Sequence, residues 1–220
     1  MEGISVLTYA NKSSIPDAWR FIGEQAGMVP STVCSARAVQ CGSTNEFNTR
    51  FVGGNVDDFD SDFVLLIESD ASVVRPSAWT DEFLEYDYIG APWNLGMKWQ
   101  ADWSKKAGEP RTRTLVGNSG FSLRSRRFCE ACSKLCRQYR RSSDGNCDAY
   151  VCITMAGRLR DMGMKFAPVG LADKFSIEDG RPYGGQFGAH RRFTVGDAVM
   201  DLSKSRYTTF HFPDNDTVFK

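Results

Sequence analysis

No stretch of this sequence approaches the roughly 18 consecutive apolar residues that a membrane-spanning helix needs. The amino-terminal Met1-Glu2-Gly3-Ile4-Ser5 also lacks the basic region and apolar run of a secretory signal. The two absences predict a soluble, cytoplasmic protein. The spacing of a small disulfide scaffold is missing as well. The seven cysteines, at 34, 41, 129, 132, 136, 147 and 152, are odd in number in a chain of 220 residues that does not need staples, which predicts reduced thiols. There is no Gly-x-x-x-x-Gly-Lys-Ser/Thr phosphate loop, no Gly-x-Gly-x-x-Gly turn after the first strand and no Gly-x-Ser-x-Gly elbow. Kinase, dinucleotide-dehydrogenase and hydrolase readings lose support accordingly. With no internal repeat, low-complexity tract or linker, residues 1–220 read as one domain.

Net charge is also lacking, but its distribution is uneven. In residues 1–97 five basic side chains face fourteen acidic ones, whereas in residues 98–141 twelve Lys and Arg outnumber Asp102, Glu109 and Glu130. Such a pole suits a phosphate-rich or otherwise anionic partner, or else is a solvated surface.

The pattern along the chain alternates strand and helix. Ile4 to Tyr9 is a β-prone run, and a helix is expected from about Ile15 to Ala26 with Ala18, Trp19 and Ile22 as its buried stripe and Gly27 as its stop. Val33 opens a second short strand, and residues 41–60 read mostly as loop with room for a short helix. Phe63-Val64-Leu65-Leu66-Ile67 is a continuous apolar run, as in a central strand covered on both faces, and it stops abruptly at Glu68-Ser69-Asp70. Ser72 to Val74 and a piece between Phe83 and Trp93 resume β character; residues 94–111 form a long irregular segment. Phe121-Ser122-Leu123 precedes a helix whose Phe128, Ala131, Cys132, Leu135, Cys136 and Tyr139 share one face. That stripe explains Cys129, Cys132 and Cys136 better than a zinc site does. A further helix is expected from Asp148 to Met162, ended by Gly163. Beyond it come β-prone pieces at Phe166 to Pro168 and Lys174 to Ile177, a Gly-rich turn from Gly180 to Gly188, and a polar tail.

Glu68-Ser69-Asp70 sets two carboxylates two residues apart at the carboxyl end of the central strand, where ligands bind in open α/β sheets. Hard oxygen donors suit Mg2+ or Mn2+, which bridge a diphosphate. The triplet alone fits a metal site or an ordinary acidic loop. Asp148 fits a catalytic carboxylate or a helix N-cap. His190, after a Gly-rich turn, fits a metal ligand or a structural imidazole, and the turn Gly117-Asn118-Ser119-Gly120 fits a donor-binding loop or a plain hairpin.

Five blocks in order carry a resemblance: Leu65-Leu66-Ile67-Glu68-Ser69-Asp70, Tyr86-Asp87-Tyr88-Ile89-Gly90-Ala91-Pro92-Trp93, Gly117-Asn118-Ser119-Gly120-Phe121-Ser122-Leu123-Arg124, Cys147-Asp148-Ala149-Tyr150 and Lys174-Phe175-Ser176-Ile177-Glu178. Together they resemble a glycosyltransferase-like family (DUF5672-like) with a GT-A-type nucleotide-diphospho-sugar transferase fold. The second and third blocks are the specific ones. The chain departs from that pattern in having Glu-Ser-Asp where the family tends to have Gln-Thr-Asp, and Cys147 where an acid is common.

The resemblance implies a single-domain α/β fold with a mixed, mostly parallel central sheet flanked by helices. It implies a metal-dependent glycosyltransferase moving a hexosyl or pentosyl group from a nucleotide-sugar donor to a glycan or other hydroxyl acceptor, inverting with Asp148 as base. Asp70 would bind Mn2+ or Mg2+ directly, with Glu68 binding through water or holding the ribose, and His190 as a third ligand. The donor-binding set is Tyr9, Glu68, Ser69, Gly117, Asn118, Ser119 and Gly120, and the acceptor-binding set is Trp93, Trp99 and Trp103. The arginines of residues 98–141, beside Trp99 and Trp103, also fit a nucleic-acid surface, which keeps open a DNA-modifying transferase acting on a hydroxymethylated base. A non-catalytic module that binds nucleotide sugars or nucleic acid is the remaining alternative.

Overall fold

The computed structural model describes residues 3–93, 116–138, 147–178, 180–210 and 212. Strands β1 (Ile4–Ala10), β2 (Val33–Gln40), β3 (Phe63–Ile67), β5 (Tyr88–Gly90) and β6 (Phe121–Ser125) form a central sheet in the order β2-β1-β3-β6-β5, whereas β4 (Ala71–Val73) leaves it for a second sheet. β1 is parallel to β2 and β3, and β6 is antiparallel to β3 and β5. The sheet is therefore mixed, with four strands pointing one way and β6 the other.

Alternating side chains divide between two cores, as a pleated strand requires. On one face Ile4, Val6, Leu65, Ile67, Phe121 and Leu123 pack with α1 (Ile15–Gly27). On the other, Leu7, Tyr9, Val64, Leu66 and Tyr88 pack with α2 (Thr44–Val52), α3 (Arg126–Gln138) and a helical stretch near residues 147–161. That stretch is α4 (Cys147–Ala149), a π-helical turn over Tyr150–Thr154 and α5 (Ala156–Asp161), with Gly163 at φ +81° just beyond it.

Trp19 does not belong to the buried stripe of α1. It is 48% exposed, and the buried positions are Ala18, Phe21, Ile22 and Gln25. At 100° per residue Trp19 lies a quarter-turn off that i, i+3, i+4, i+7 face, and Phe21 takes its place. Lys174 and Phe175 are helical rather than extended, ending α6 (Val169–Phe175), with β7 reduced to Ser176–Ile177. The polar tail holds a hairpin, β9 (Arg192–Val195) and β10 (Ala198–Asp201), turned at Gly196 with φ +56°. β8 (Gly188–His190) lies between β4 and β7 in a three-stranded sheet, antiparallel to β4 and parallel to β7. All seven cysteines are free, and among the described residues no helix is long and apolar enough to cross a membrane.

Candidate functional site

The carboxyl ends of β1, β2 and β3 reach the same edge of the sheet. They open into a cleft of about 860 Å3 lined by Tyr9 to Asn11, Cys41 to Thr44, Glu68 to Asp70, Ser119, Asp148 and Glu178, with His190 among its walls. After Ile67 the Glu68 N–H still donates to Gly120 O at 2.8 Å, and the Ala71 N–H closes a turn on Glu68 O at 3.0 Å. The turn delivers the chain to β4, whose register sets Ala71 opposite His190. Strand pairing therefore brings an imidazole from the carboxyl-terminal side next to Asp70.

One ligand atom each from Glu68, Asp70 and His190 lie within 4.8 Å of one another. His190 Nε2 is buried without a hydrogen-bond partner and stands 3.5 Å from Asp70 Oδ1, an electrostatic pairing rather than a good hydrogen bond. A buried polar atom left unpaired costs on the order of 1–3 kcal/mol, so this nitrogen calls for a partner. Two carboxylates and an imidazole nitrogen fit Mn2+, or Mg2+ with more difficulty, because nitrogen donors suit the transition metal better. Burial and the Asp70 charge push Glu68 up, with Ser119 Oγ donating to Glu68 Oε1 at 3.0 Å. Burial works against a charged His190, but Asp70, Glu178 and Glu68 outweigh it and hold the ring up at about 10. Burial would raise Asp70, yet His190 and Arg191 keep it below the usual carboxylate range.

Asp148 lies within α4 rather than at its cap, and its Oδ1 accepts from the Ala149 N–H at 2.7 Å. Burial, then the charges of Glu178 and Glu68, push it up to about 7. Arg191, in the left-handed region at φ +57°, and Arg206 stand at the rim, with Arg191 Nε 3.6 Å from Asp70 Oδ2. At the other end, the amino terminus of α2 opens on the cleft but is already filled. Ser43 Oγ accepts from Glu46 N, and Glu46 Oε2 accepts from Gly42 N at 2.8 Å, a capping box shifted by one residue that leaves a carboxylate where an anion would sit.

Of the donor set, Tyr9, Glu68, Ser69 and Ser119 line the cleft. The Tyr9 hydroxyl is engaged elsewhere, donating to Asp58 Oδ2 at 2.5 Å and accepting from Asn55 Nδ2. Asn118, at φ +101°, is 1% exposed and does not reach the cleft. Its Oδ1 accepts from the Gly120 and Phe121 N–H groups, and its Nδ2 donates to Glu178. Gly117 and Gly120 are covered as well, since a Cβ on the first would overlap the Trp93 indole and on the second the His190 imidazole. Trp93 reaches the cleft with only 3% of its surface exposed. Trp99 and Trp103 lie outside the described residues.

The arginines offered for nucleic acid are used otherwise where they are described. Arg124 is 1% exposed and stacks 3.7 Å above the Phe51 ring. Arg126 donates to Phe59 O and Ser61 O, and Arg127 forks onto Asp87. All three are taken up by the fold, and nucleic-acid binding through them is not supported; Arg111, Arg113, Arg140 and Arg141 lie outside the described residues.

Residues 56–190 match the model of a family described as protein of unknown function (DUF5672). The chain belongs to the DUF5672 family. Among solved structures it is similar to glucosyl-3-phosphoglycerate synthase from Mycobacterium tuberculosis, a complex with Mn2+, UDP-glucose and phosphoglyceric acid. That likeness has a TM-score of 0.38 and 17% identity, and covers 57% of this chain and 57% of that one. It is also similar to the galactosyltransferase LgtC in complex with donor and acceptor sugar analogs, with a TM-score of 0.43, 13% identity, and coverage of 79% and 75%. No curated protein matches the chain.

Within this family member, sequence reasoning missed Glu178, Arg191, Arg206 and Tyr207, all of which line the cleft. Glu178 carried a signal, an acid directly after a β-prone run, like Glu68 after β3. Arg206 and Tyr207 carried none, because contacts with distant residues bring that segment across the strand end, among them the Tyr207 N–H to Ser69 O bond of 2.7 Å and the Tyr207 ring against Phe21.

Proposed function

We propose that this protein is a metal-dependent glycosyltransferase that moves a sugar from a nucleoside-diphosphate donor to a hydroxyl acceptor, with the cleft as its active site. The observation that carries the reading is the unpartnered His190 Nε2 aimed at the Glu68 and Asp70 carboxylates at the strand end. A bound Mn2+ or Mg2+ supplies charge neutralisation for the departing diphosphate. Asp70 and His190 would hold it directly, and Glu68, raised and bonded by Ser119, would bind it or the ribose. Arg191 and Arg206 present forked donors beside it for the phosphate oxygens. The filled α2 terminus favours that end of the cleft for the diphosphate, leaving the Tyr9 and Phe47 rings, packed edge to face 5.4 Å apart, as an apolar wall for the nucleoside. Asp148, with a pKa of about 7, is matched to take a proton from an acceptor hydroxyl at neutral pH in a single inverting displacement.

A panel of UDP-, GDP- and dTDP-sugars assayed with and without Mn2+ tests the reading. Metal-dependent release of nucleoside diphosphate is expected from one of them, falling about 100-fold or more in Asp70→Ala. Neither release nor metal-dependent binding across the panel would reject the enzyme, and binding without release would favour a non-catalytic module.

A further inference from the structure

His190 offers two nitrogens, and only one can be useful to a cation. Nε2 points at Glu68 and Asp70, so a metal that binds there must displace the proton these carboxylates hold on Nε2, leaving it a bare lone pair with the remaining ring proton on Nδ1. An isolated imidazole does not guarantee that arrangement.

The surroundings of Nδ1 impose it. Glu178 Oε1 lies 3.1 Å away, and the Asn118 amide nitrogen lies 3.0 Å away. Asn118 cannot be turned over, because its Oδ1 already accepts from the Gly120 N–H at 2.6 Å and the Phe121 N–H at 3.2 Å, which leaves its Nδ2 a donor. That nitrogen donates to Glu178 Oε2, fixing the carboxylate from its far oxygen while the near one faces the ring. Nδ1 thus faces one acceptor and one donor, and the carboxylate decides: a bare Nδ1 would set its lone pair against the charged Glu178 Oε1 at 3.1 Å, whereas the neutral Asn118 amide already gives a hydrogen to Glu178 Oε2, so Nδ1 carries hydrogen and donates to Glu178. All three side chains are buried, with Asn118 1%, His190 4% and Glu178 8% exposed, so water does not compete for these bonds. The ring is also held from below, where Gly120 leaves no Cβ to lift it.

We infer that Glu178, held by Asn118, is the positioning residue that sets the His190 tautomer and aims Nε2 at the metal position. The left-handed conformation of Asn118 then has a use, since it turns the amide between the β6 backbone and Glu178. Asn118 and Gly120 serve the metal end of the cleft from behind, while Ser119 alone of the Gly117-to-Gly120 turn lines it. Outer partners of this type are worth roughly 10- to 100-fold in metal affinity.

The inference rests on the metal reading above, and its test needs no sugar donor. Glu178→Gln keeps the shape and an oxygen for Asn118, but presents an amide N–H to Nδ1. The ring must then accept at Nδ1 and keep its proton on Nε2, facing the metal. Titration of the full chain with Mn2+, followed by electron paramagnetic resonance, should show binding weakened roughly 10- to 100-fold in Glu178→Gln. The same change made in His190→Ala should produce no further loss. 15N-imidazole NMR with diamagnetic Mg2+ in place of Mn2+ should show Nε2 bare and Nδ1 protonated in the loaded parent, and Nε2 still protonated in the variant at the same Mg2+ concentration. An equal loss in the His190→Ala background would mean that Glu178 acts through its charge alone, and unchanged affinity in Glu178→Gln would overturn the inference while leaving the metal site standing. Failure of the parent protein to bind Mn2+ would overturn both.

Discussion

Asp148→Asn is expected to lower turnover by about 10^2- to 10^4-fold, the range for losing a general base, while making the protein more stable at neutral pH. The second half follows from the sign of the shift. Burial and the neighbouring Glu178 and Glu68 raise Asp148 to about 7 in the folded chain, against an ordinary value of 3.8. Between those two values the folded state holds a proton that the unfolded state has released, so stability present below pH 3.8 is lost as pH rises toward 7, by about 1.4 kcal/mol per unit. Asparagine has no proton to lose. Urea denaturation of both forms at pH 5, 6 and 7 should show the variant gaining on the parent at each step, and a constant gap would place Asp148 at an ordinary carboxylate value in the fold.

Asp87→Ala is expected to cost about 3 kcal/mol of stability, read as a fall in the urea midpoint without a change in the slope. Its buried carboxylate accepts from Ser125 Oγ at 2.6 Å, Arg127 Nε at 2.6 Å and Nη2 at 2.5 Å, and Lys165 N at 2.8 Å. The Asp87 main chain adds Ser125 N to Asp87 O at 2.9 Å and Asp87 N to Lys165 O at 2.8 Å. Alanine would strand the Ser125 hydroxyl and the Lys165 N–H, although Arg127, more than half exposed, can turn to water. Although burial raises Asp87, Arg127, Ser125 and Lys165 lower it overall, so its contribution is full above the ordinary carboxylate value and fades as pH falls through the depressed one. An unchanged midpoint would show that the Tyr86 to Trp93 block matters for something other than this clamp.

What could be read from the sequence was what depended on neighbours along the chain. Phe63 to Ile67 is apolar without alternation because both faces of β3 are covered, and that run placed Glu68 and Asp70 at a strand end. The capping box at Ser43 and Glu46 and the Gly196-Asp197 turn were equally local, yet the composition around them read as loop and tail. What was not legible depended on pairing between distant strands. Nothing near His190 announces that β8 will lie against β4, or that Asn118, in a turn suited to ligand approach, will face Glu178 inside the protein. The position of Trp19 was lost for a smaller reason: Ala18 and Ile22 fit two helical faces, and only the buried Phe21 chooses between them.

The antiparallel match of Ala71 with His190 also makes chain length as informative as side-chain identity. A one-residue deletion between β7 and β8 that moved the pairing by one step would present Ala189 or Arg191 to Asp70 and turn every side chain of the short strand over. The slip would also carry a side chain into the space that Gly188 leaves for the Phe121 ring, where a Cβ would overlap the ring. Diverging relatives can therefore exchange residues around this cleft far more freely than they can gain or lose one in the few positions that lead into it.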